Sequence, residues 1–172
     1  MCELPQGGGI MGSGYHGGFG ATSGARKQDI IAADANLVGS LNKGKDLAAA
    51  AKRVQKEDGF TDVAVHGAPD HIEVFRMIAG EEKGVVLNHR NLAKFLKADK
   101  GYVGGNIRLL SCSTGKETGT FAQNLANKMG VAVKAPSDTL HIWPNGKMVI
   151  GSSPFKNTGK WITYYPQKGK KV

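Results

Sequence analysis

The chain has 172 residues, of which 40% are hydrophobic and 22% are charged, and its formal net charge is +9. This length supports one domain with its own hydrophobic core. The sequence contains no apolar run of membrane-spanning length and no signal-peptide pattern, so we expect a soluble protein that makes no membrane contact.

The N-terminal segment differs in composition from the rest of the chain. Nine glycines occur between positions 7 and 24, with few large apolar side chains among them. Such a segment cannot bury enough surface to offset its chain entropy. We therefore predict a flexible glycine-rich leader over residues 1–26, followed by a single α/β catalytic or toxin domain over residues 27–172.

The first half of the domain mixes helical and strand patterns. Residues 28–41 are consistent with a short helix, and the apolar spacing in residues 46–57 predicts a longer one that ends before Gly59. Residues 61–65 form a short apolar run typical of a buried strand. Residues 72–76 alternate like a strand with one face in water.

The second half of the domain continues this alternation of elements. Asn88 is positioned to cap a helix that runs to Lys97. The apolar run of residues 107–111 predicts the central strand of the sheet. A helix over residues 117–129 then precedes a short strand at residues 131–135.

Antiparallel structure is expected at the C-terminus. Residues 140–150 predict a β-hairpin whose Asn145-Gly146 pair is typical of a type I′ turn. A last strand over residues 161–165 ends at Pro166. The sequence therefore predicts an α/β fold with a small, mainly parallel sheet flanked by helices, extended by a C-terminal antiparallel hairpin.

The leading candidate site consists of Cys112 and His66. Each follows the end of a predicted strand, and functional groups in open α/β sheets collect at the C-terminal ends of the strands. A cysteine nucleophile needs a general base beside it, which His66 would supply. This hypothesis requires residues 63–65 and 107–111 to be neighbouring parallel strands.

The surroundings of Cys112 are expected to favour this chemistry. A helix that begins shortly after Cys112 would lower the pKa of the thiol through its dipole. The N–H groups of Gly67 and Cys112 would hold an oxyanion. Because Cys2 and Cys112 are far apart in a chain with two cysteines, we expect Cys112 to be a free thiol.

Several polar residues near the predicted strand ends are candidates for the pocket wall. We expect no metal site and no cofactor, because no cysteine or histidine cluster has zinc-ligand spacing. The candidate pocket residues are Asp70, Ser111, Ser113, Thr114, Asp138 and His141.

Three segments resemble the caspase-like (clan CD) cysteine peptidases. They are residues 109–115 (LLSCSTG), 119–126 (GTFAQNLA) and 133–136 (VKAP), within a gapped match over residues 62–137. The separation of 46 residues between His66 and Cys112 is also typical of that family. The resemblance implies a caspase-like fold, a Cys112 nucleophile, a His66 base, and oxyanion donors at Gly67 and Cys112.

The chain as a whole resembles the C-terminal toxin modules of bacterial polymorphic toxins of the contact-dependent inhibition and Rhs types. The glycine-rich leader, the basic domain, and the motifs WPNG (residues 143–146) and GKWITYYP (159–166) carry this resemblance. It implies secretion on a large carrier protein, action on a protein substrate in the target-cell cytoplasm, and a cognate immunity protein with an acidic contact surface.

Two other classes of function stay open. Residues 136–172 hold six basic and one acidic side chains, so a basic toxin nuclease that binds nucleic acid through this segment is the alternative. Its catalytic candidates would be the five histidines: His16, His66, His71, His89 and His141. The third class is a non-catalytic binding module on a caspase-like frame.

Overall fold

A computed structural model describes residues 31–32, 49–98, 102 and 104–167. The predicted leader over residues 1–26 lies outside the described residues. No helix in the described part of the chain is long and apolar enough to cross a membrane. The elements in chain order are β1 (Ile31–Ala32), β2 (Phe60–Ala64), β3 (His66–Gly67), β4 (Ile72–Ile78), β5 (Glu81–Leu87), α1 (His89–Ala98), β6 (Asn106–Leu110), α2 (Phe121–Met129), β7 (Val133–Pro136), β8 (Leu140–Ile142), β9 (Met148–Ile150) and β10 (Trp161–Tyr164).

The main sheet has five strands in the order β1-β2-β6-β7-β10. The first four strands are parallel, and β10 pairs antiparallel with β7 at the edge. The predicted mainly parallel sheet is therefore confirmed, and so is the central position of β6. Strands β2 and β6 are almost wholly buried, which explains why they consist of apolar runs and not of alternating residues.

A three-stranded antiparallel sheet, β3-β4-β5, follows β2. Strand β4 is predicted from its alternation, whereas the sequence analysis assigns no strand to β5. Two positive φ angles, 52° at Ala79 and 83° at Gly80, turn the chain between β4 and β5. Strand β5 begins Glu-Glu-Lys-Gly, residues with low strand propensity, and it exists because it pairs with β4 along its whole length.

Helices α1 and α2 are capped by different means. The Asn88 side chain accepts a hydrogen bond from the Asn91 N–H (2.9 Å), and the Asn91 side chain accepts one from the Asn88 N–H (3.0 Å). Helix α1 therefore begins where the sequence predicts. Helix α2 ends at Gly130 as predicted, with φ of 72° in the left-handed region. It begins at Phe121 and not at residue 117, because residues 111–118 form turns after β6.

The N-terminal helix predictions are largely wrong within the described residues. Residues 31–32 form strand β1, although the helix predicted over residues 28–41 includes them. Residues 49–51 are helical, but the helix predicted to reach residue 57 gives way to a turn at residue 52. The apolar spacing is real, since Ala50, Ala51 and Val54 are buried, but among the described residues of the predicted range only 49–51 are helical.

The predicted hairpin around residues 140–150 is confirmed as β8 and β9. Its turn is not type I′. The Gly146 N–H donates to the Trp143 carbonyl (2.8 Å), so Pro144 and Asn145 are the central residues. Proline requires a negative φ. The one positive φ in this turn is that of Gly146, 92°, as in a type I turn followed by a left-handed glycine.

Hydrophobic residues fill both faces of the main sheet. We define the helix-side cluster as the buried residues between the sheet and helices α1 and α2, and the hairpin-side cluster as those between the sheet, residues 49–54 and the β8–β9 hairpin. The helix-side cluster includes Val63, Val65, Leu96, Ile107, Leu109, Phe121 and Leu125. The hairpin-side cluster includes Ala50, Val54, Ala64, Leu110, Cys112, Leu140 and Ile150.

Candidate functional site

The register between β2 and β6 brings His66 towards Cys112. Val63 pairs with Leu109 and Ala64 with Leu110, a constant offset of 46 residues. The Val65 N–H then donates to the Leu110 carbonyl at 3.3 Å. Continuing the same offset by two residues sets His66 beside Cys112. The two predicted strands are therefore parallel neighbours, as the Cys/His hypothesis requires.

Residues at the ends of β2 and β6 alternate between the two faces of the sheet. Val65 and Leu109 belong to the helix-side cluster, whereas Ala64 and Leu110 belong to the hairpin-side cluster. Cys112 also lies in the hairpin-side cluster. His66 begins strand β3 of the second sheet, where it pairs with Glu73.

Gly67 allows the two strand ends to approach closely. A Cβ atom at Gly67 would collide with the Ser111 hydroxyl and would lie 2.6 Å from the Thr114 methyl group and 3.0 Å from the Cys112 carbonyl oxygen. Any side chain at this position would push β3 away from the turn after β6. Glycine after His66 is therefore needed for packing, in addition to any role of its N–H group.

The sulfur of Cys112 is enclosed. Its side chain is 1% exposed. The Leu140 N–H donates to the sulfur at 3.2 Å, and the Leu140 carbonyl oxygen lies 3.6 Å from it. Strand β8 thus holds the sulfur through backbone groups, a contact that the sequence analysis misses.

Cys112 is disulfide-bonded in the structure. The expectation of a free thiol is therefore wrong. Separation along the sequence does not limit which cysteines meet, because disulfide formation depends on distance in space. The other cysteine of the chain, Cys2, lies outside the described residues.

His66 is buried, with 7% of its surface exposed, and it faces Glu73 across the β3–β4 pair. Asp70, a predicted pocket residue, has a different role. Its carboxylate accepts hydrogen bonds from the Thr120 N–H (3.2 Å) and hydroxyl (3.3 Å). Asp70 therefore caps the start of helix α2.

The N-terminus of helix α2 does not face the sulfur of Cys112, contrary to the sequence-based expectation. The helix begins nine residues after Cys112. The Phe121 N–H donates to the Pro69 carbonyl (3.1 Å), and the Ala122 N–H donates to the Thr114 carbonyl (3.2 Å). The first donors of the helix are thus satisfied within the fold.

The polar residues around Cys112 mainly shape the turn. The Thr114 hydroxyl donates to the Ser111 carbonyl at 3.0 Å, and Ser113 has φ of 57°. The Ser113 N–H donates to the Asp138 carbonyl at 3.0 Å, which ties this turn to the segment before β8. Ser111 is fully buried, and its hydroxyl has no hydrogen-bond partner among the described residues.

Asp138 and His141 differ in their relation to Cys112. The Asp138 backbone carbonyl accepts the hydrogen bond from Ser113 in the turn after β6. The Asp138 carboxylate accepts a hydrogen bond from the Thr139 N–H at 2.8 Å. The His141 ring lies 3.0 Å from the Gly151 carbonyl oxygen through Nε2. Since Leu140 faces the hairpin-side cluster, His141 on the same strand points the other way. The fold therefore does not bring His141 to Cys112.

Comparison with known proteins gives one family match. The model of the family described as "Domain of unknown function (DUF8616)" matches residues 33–150, more than half of the chain. The chain belongs to this family. The matched region contains His66, Cys112 and both strands of the β8–β9 hairpin. No curated protein and no solved structure matches the chain.

Tyr164 supports the loop after Cys112 from strand β10. Its hydroxyl donates to the Gly115 carbonyl at 2.8 Å. Burial raises the pKa of Tyr164, and the negative charge of Glu117 adds to this effect. The hydroxyl therefore stays protonated, and keeps this hydrogen bond, throughout the neutral pH range.

A buried ion pair joins the middle residues of β2 and β6. Arg108 Nε donates to Asp62 Oδ1 at 2.6 Å, and Nη2 donates to Oδ2 at 2.8 Å. The Arg108 guanidinium also lies 5.8 Å from the Trp161 ring centre. The sequence signal for this pair is the shared offset: Asp62 and Arg108 are the lone charges of their strands and are 46 residues apart, as are His66 and Cys112.

The aromatic residues of the basic C-terminal segment largely pack within the fold. Trp161 packs against the hairpin-side cluster and Tyr164 against the helix-side cluster. Trp161 and Tyr164 therefore pack on opposite faces of the sheet. Tyr165, which directly follows β10, is exposed over 68% of its surface. Residues 168–172, with the last lysines, lie outside the described residues.

Proposed function

We propose that this chain is the toxin domain of a bacterial polymorphic toxin with a caspase-like core, and that it acts as a Cys/His-dependent hydrolase. One observation carries the proposal: β2 and β6 are parallel neighbours with an offset of 46 residues, and the chain beyond them continues to His66 and Cys112 at the same edge of the sheet. That arrangement supplies a nucleophile and a base to one substrate carbonyl.

The proposed reaction is acyl transfer through Cys112. His66 takes the thiol proton, and the thiolate attacks the carbonyl carbon of an amide or thioester. The Gly67 and Cys112 N–H groups stabilise the resulting oxyanion. Collapse expels the leaving group, which receives the proton from His66. Water, activated by the same histidine, then hydrolyses the thioester and regenerates the thiol.

This reaction requires reduction of the Cys112 disulfide, because a disulfide sulfur is not a nucleophile. Two cellular thiols would supply the two electrons, become joined in a disulfide, and leave Cys112 and the cysteine bonded to it as thiols. Disulfides persist outside the cytoplasm and are reduced within it. The chemistry therefore suits a protein that is secreted on a carrier and becomes active in the target-cell cytoplasm.

Access to the sulfur is the second requirement. Cys112 is buried, and Leu140 contacts its sulfur. A substrate carbonyl can reach the sulfur only if strand β8 or the neighbouring turn moves after reduction. After reduction and before the substrate binds, the Leu140 N–H would stabilise the thiolate, since it already donates to the sulfur. A protein substrate and a cognate immunity protein are the partners that this function implies.

Growth of bacteria tests the proposal. Cytoplasmic expression of the intact chain is expected to stop growth, whereas Cys112→Ala and His66→Ala are expected to restore it. His71→Ala is the matched control, because His71 is a loop residue beside the site, and it should remain toxic. All variants are compared at equal expression by immunoblot.

The outcomes distinguish the three classes of function. Toxicity that survives Cys112→Ala would contradict the acyl-transfer mechanism and favour the nuclease, which uses histidine and lysine. Loss of nucleic acid from the intoxicated cells would then identify that activity. An intact chain that does not affect growth would contradict the toxin assignment and leave the binding module.

A further inference from the structure

A groove of about 350 Å³ lies between helices α1 and α2, away from Cys112. The two helices pack through Leu92, Leu96 and Leu125 beneath it. Two alanines and four basic side chains line it, and none of the described carboxylates does. The lining residues are Arg90, Ala93, Lys94, Lys97, Ala98 and Lys128.

The four cations of the groove are exposed and have no ion-pair partner among the described residues. Elsewhere in the described chain, acidic residues do lie near basic ones: Glu57 contacts Lys134 at 2.9 Å, and Glu117 lies 3.9 Å from Lys160. The groove is therefore a patch of uncompensated positive charge. Such a patch attracts an acidic partner and raises its association rate.

The spacing of the cations matches that of a helical partner. Arg90, Lys94 and Lys97 follow one another at intervals of four and three residues on one side of α1. These intervals correspond to rises of about 6 and 4.5 Å along the helix axis. Carboxylates at positions i, i+4 and i+7 of another helix have the same spacing.

The floor of the groove also suits a helix. Ala98 is exposed, and its methyl group together with the alkyl stems of the lysines forms an apolar surface. Small side chains let a third helix pack closely into the groove between two others. No aromatic side chain lines the groove, so it offers no platform on which nucleic acid bases could stack.

We propose that this groove binds an acidic amphipathic helix presented by a protein partner. Glutamates on one side of that helix pair with Arg90, Lys94, Lys97 and Lys128, and small apolar residues contact Ala98. The interaction does not depend on the proposed chemistry of Cys112, since the groove lies on the helix side of the sheet and Cys112 on the hairpin side.

The test uses the full chain and synthetic probes measured by fluorescence anisotropy. The first probe is an Ala/Leu/Glu helix with glutamates at i, i+4 and i+7. The second has the same composition with the glutamates distributed around the helix. The third is single-stranded RNA of equal net charge. The patterned helix is expected to bind about tenfold or more tightly than either other probe.

Charge reversal identifies the surface that binds the helix. Lys94→Glu/Lys97→Glu is expected to weaken binding of the patterned helix about tenfold or more. Lys116→Glu/Lys147→Glu, the matched control, changes the net charge equally at exposed lysines outside the groove and should weaken it far less. Unfolding in urea checks that both double variants are folded.

Three results would overturn the proposal. Equal binding of the two helices would show that the spacing does not matter. Tighter binding of RNA, lost on reversal of Lys94 and Lys97, would assign the groove to nucleic acid. Equal effects of the two double variants would reduce the interaction to net charge. Toxicity that persists in Lys94→Glu/Lys97→Glu leaves the hydrolase proposal standing, whichever of these results is found.

Discussion

Replacement of Asp62 by leucine is expected to lower the free energy of unfolding by about 3–5 kcal/mol, the range for breaking one side of a buried ion pair. The substitution leaves the Arg108 guanidinium in the sheet, where the side chains of Arg108 and Asp62 are 7% and 2% exposed. The remaining partners of Arg108 are the Gln55 carbonyl at 2.9 Å and Glu57 at 3.5 Å. They replace neither of the two hydrogen bonds to Asp62.

Urea unfolding measures this loss. The double variant Asp62→Leu/Arg108→Met should regain much of the stability, because it removes the unpaired charge and keeps the volume filled. Asp58→Leu is the control at an exposed acid beside the same strand, and it should change stability by about 0.5 kcal/mol or less. A loss below about 1 kcal/mol for Asp62→Leu would contradict the assigned importance of the pair.

In the unfolded chain, reduction is expected to convert Cys112 from a group that iodoacetamide does not label into one that it labels fully. Iodoacetamide alkylates a thiolate. A disulfide contains none, and its reduction produces a thiol that can ionise to one. Peptide-resolved mass spectrometry distinguishes Cys112 from Cys2, the other cysteine of the chain.

Unfolding separates the disulfide from burial as the cause of protection. Chain unfolded in urea without reductant should stay unlabelled at Cys112, since unfolding exposes the sulfur but leaves the bond intact. Chain unfolded with reductant should be labelled. Labelling of Cys112 in the unreduced protein, folded or unfolded, would contradict the disulfide and remove the requirement for reduction from the proposed mechanism.

Local patterns predict much of the fold. The apolar runs of β2 and β6 identify two buried parallel strands, and Asn88 and Gly130 mark the start of α1 and the end of α2. These signals work because each depends on the nearest few residues. The pairing of β2 with β6 also follows from the alternation of strands and helices along the chain.

Pairing over longer distances accounts for the features that sequence reasoning misses. Strand β5 has a polar start and exists through its pairing with β4. Helix α2 begins late because Asp70 and the Pro69 carbonyl, from another part of the chain, satisfy its first N–H groups. The hairpin turn differs for a local reason, since Pro144 requires a negative φ at a central position of the turn.

In the candidate site, too, the local features are predictable and the contacts between distant segments are not. The strand ends that carry His66 and Cys112 follow from the sequence, and so does their separation of 46 residues. The contact of Leu140 with the sulfur and the disulfide do not, because they depend on how distant segments fold over β6. The groove between α1 and α2 requires the packing angle of two helices, which sequence periodicity does not contain.

The central claim is that His66 activates Cys112, and the rate of alkylation of reduced Cys112 between pH 5 and pH 9 tests it most directly. If His66 holds the proton of the thiol, His66→Ala should slow alkylation at pH 6 about tenfold or more, while His71→Ala should leave the rate unchanged. Circular dichroism confirms that each variant is folded. An unchanged pH profile in His66→Ala would contradict the claim that these residues form one catalytic unit.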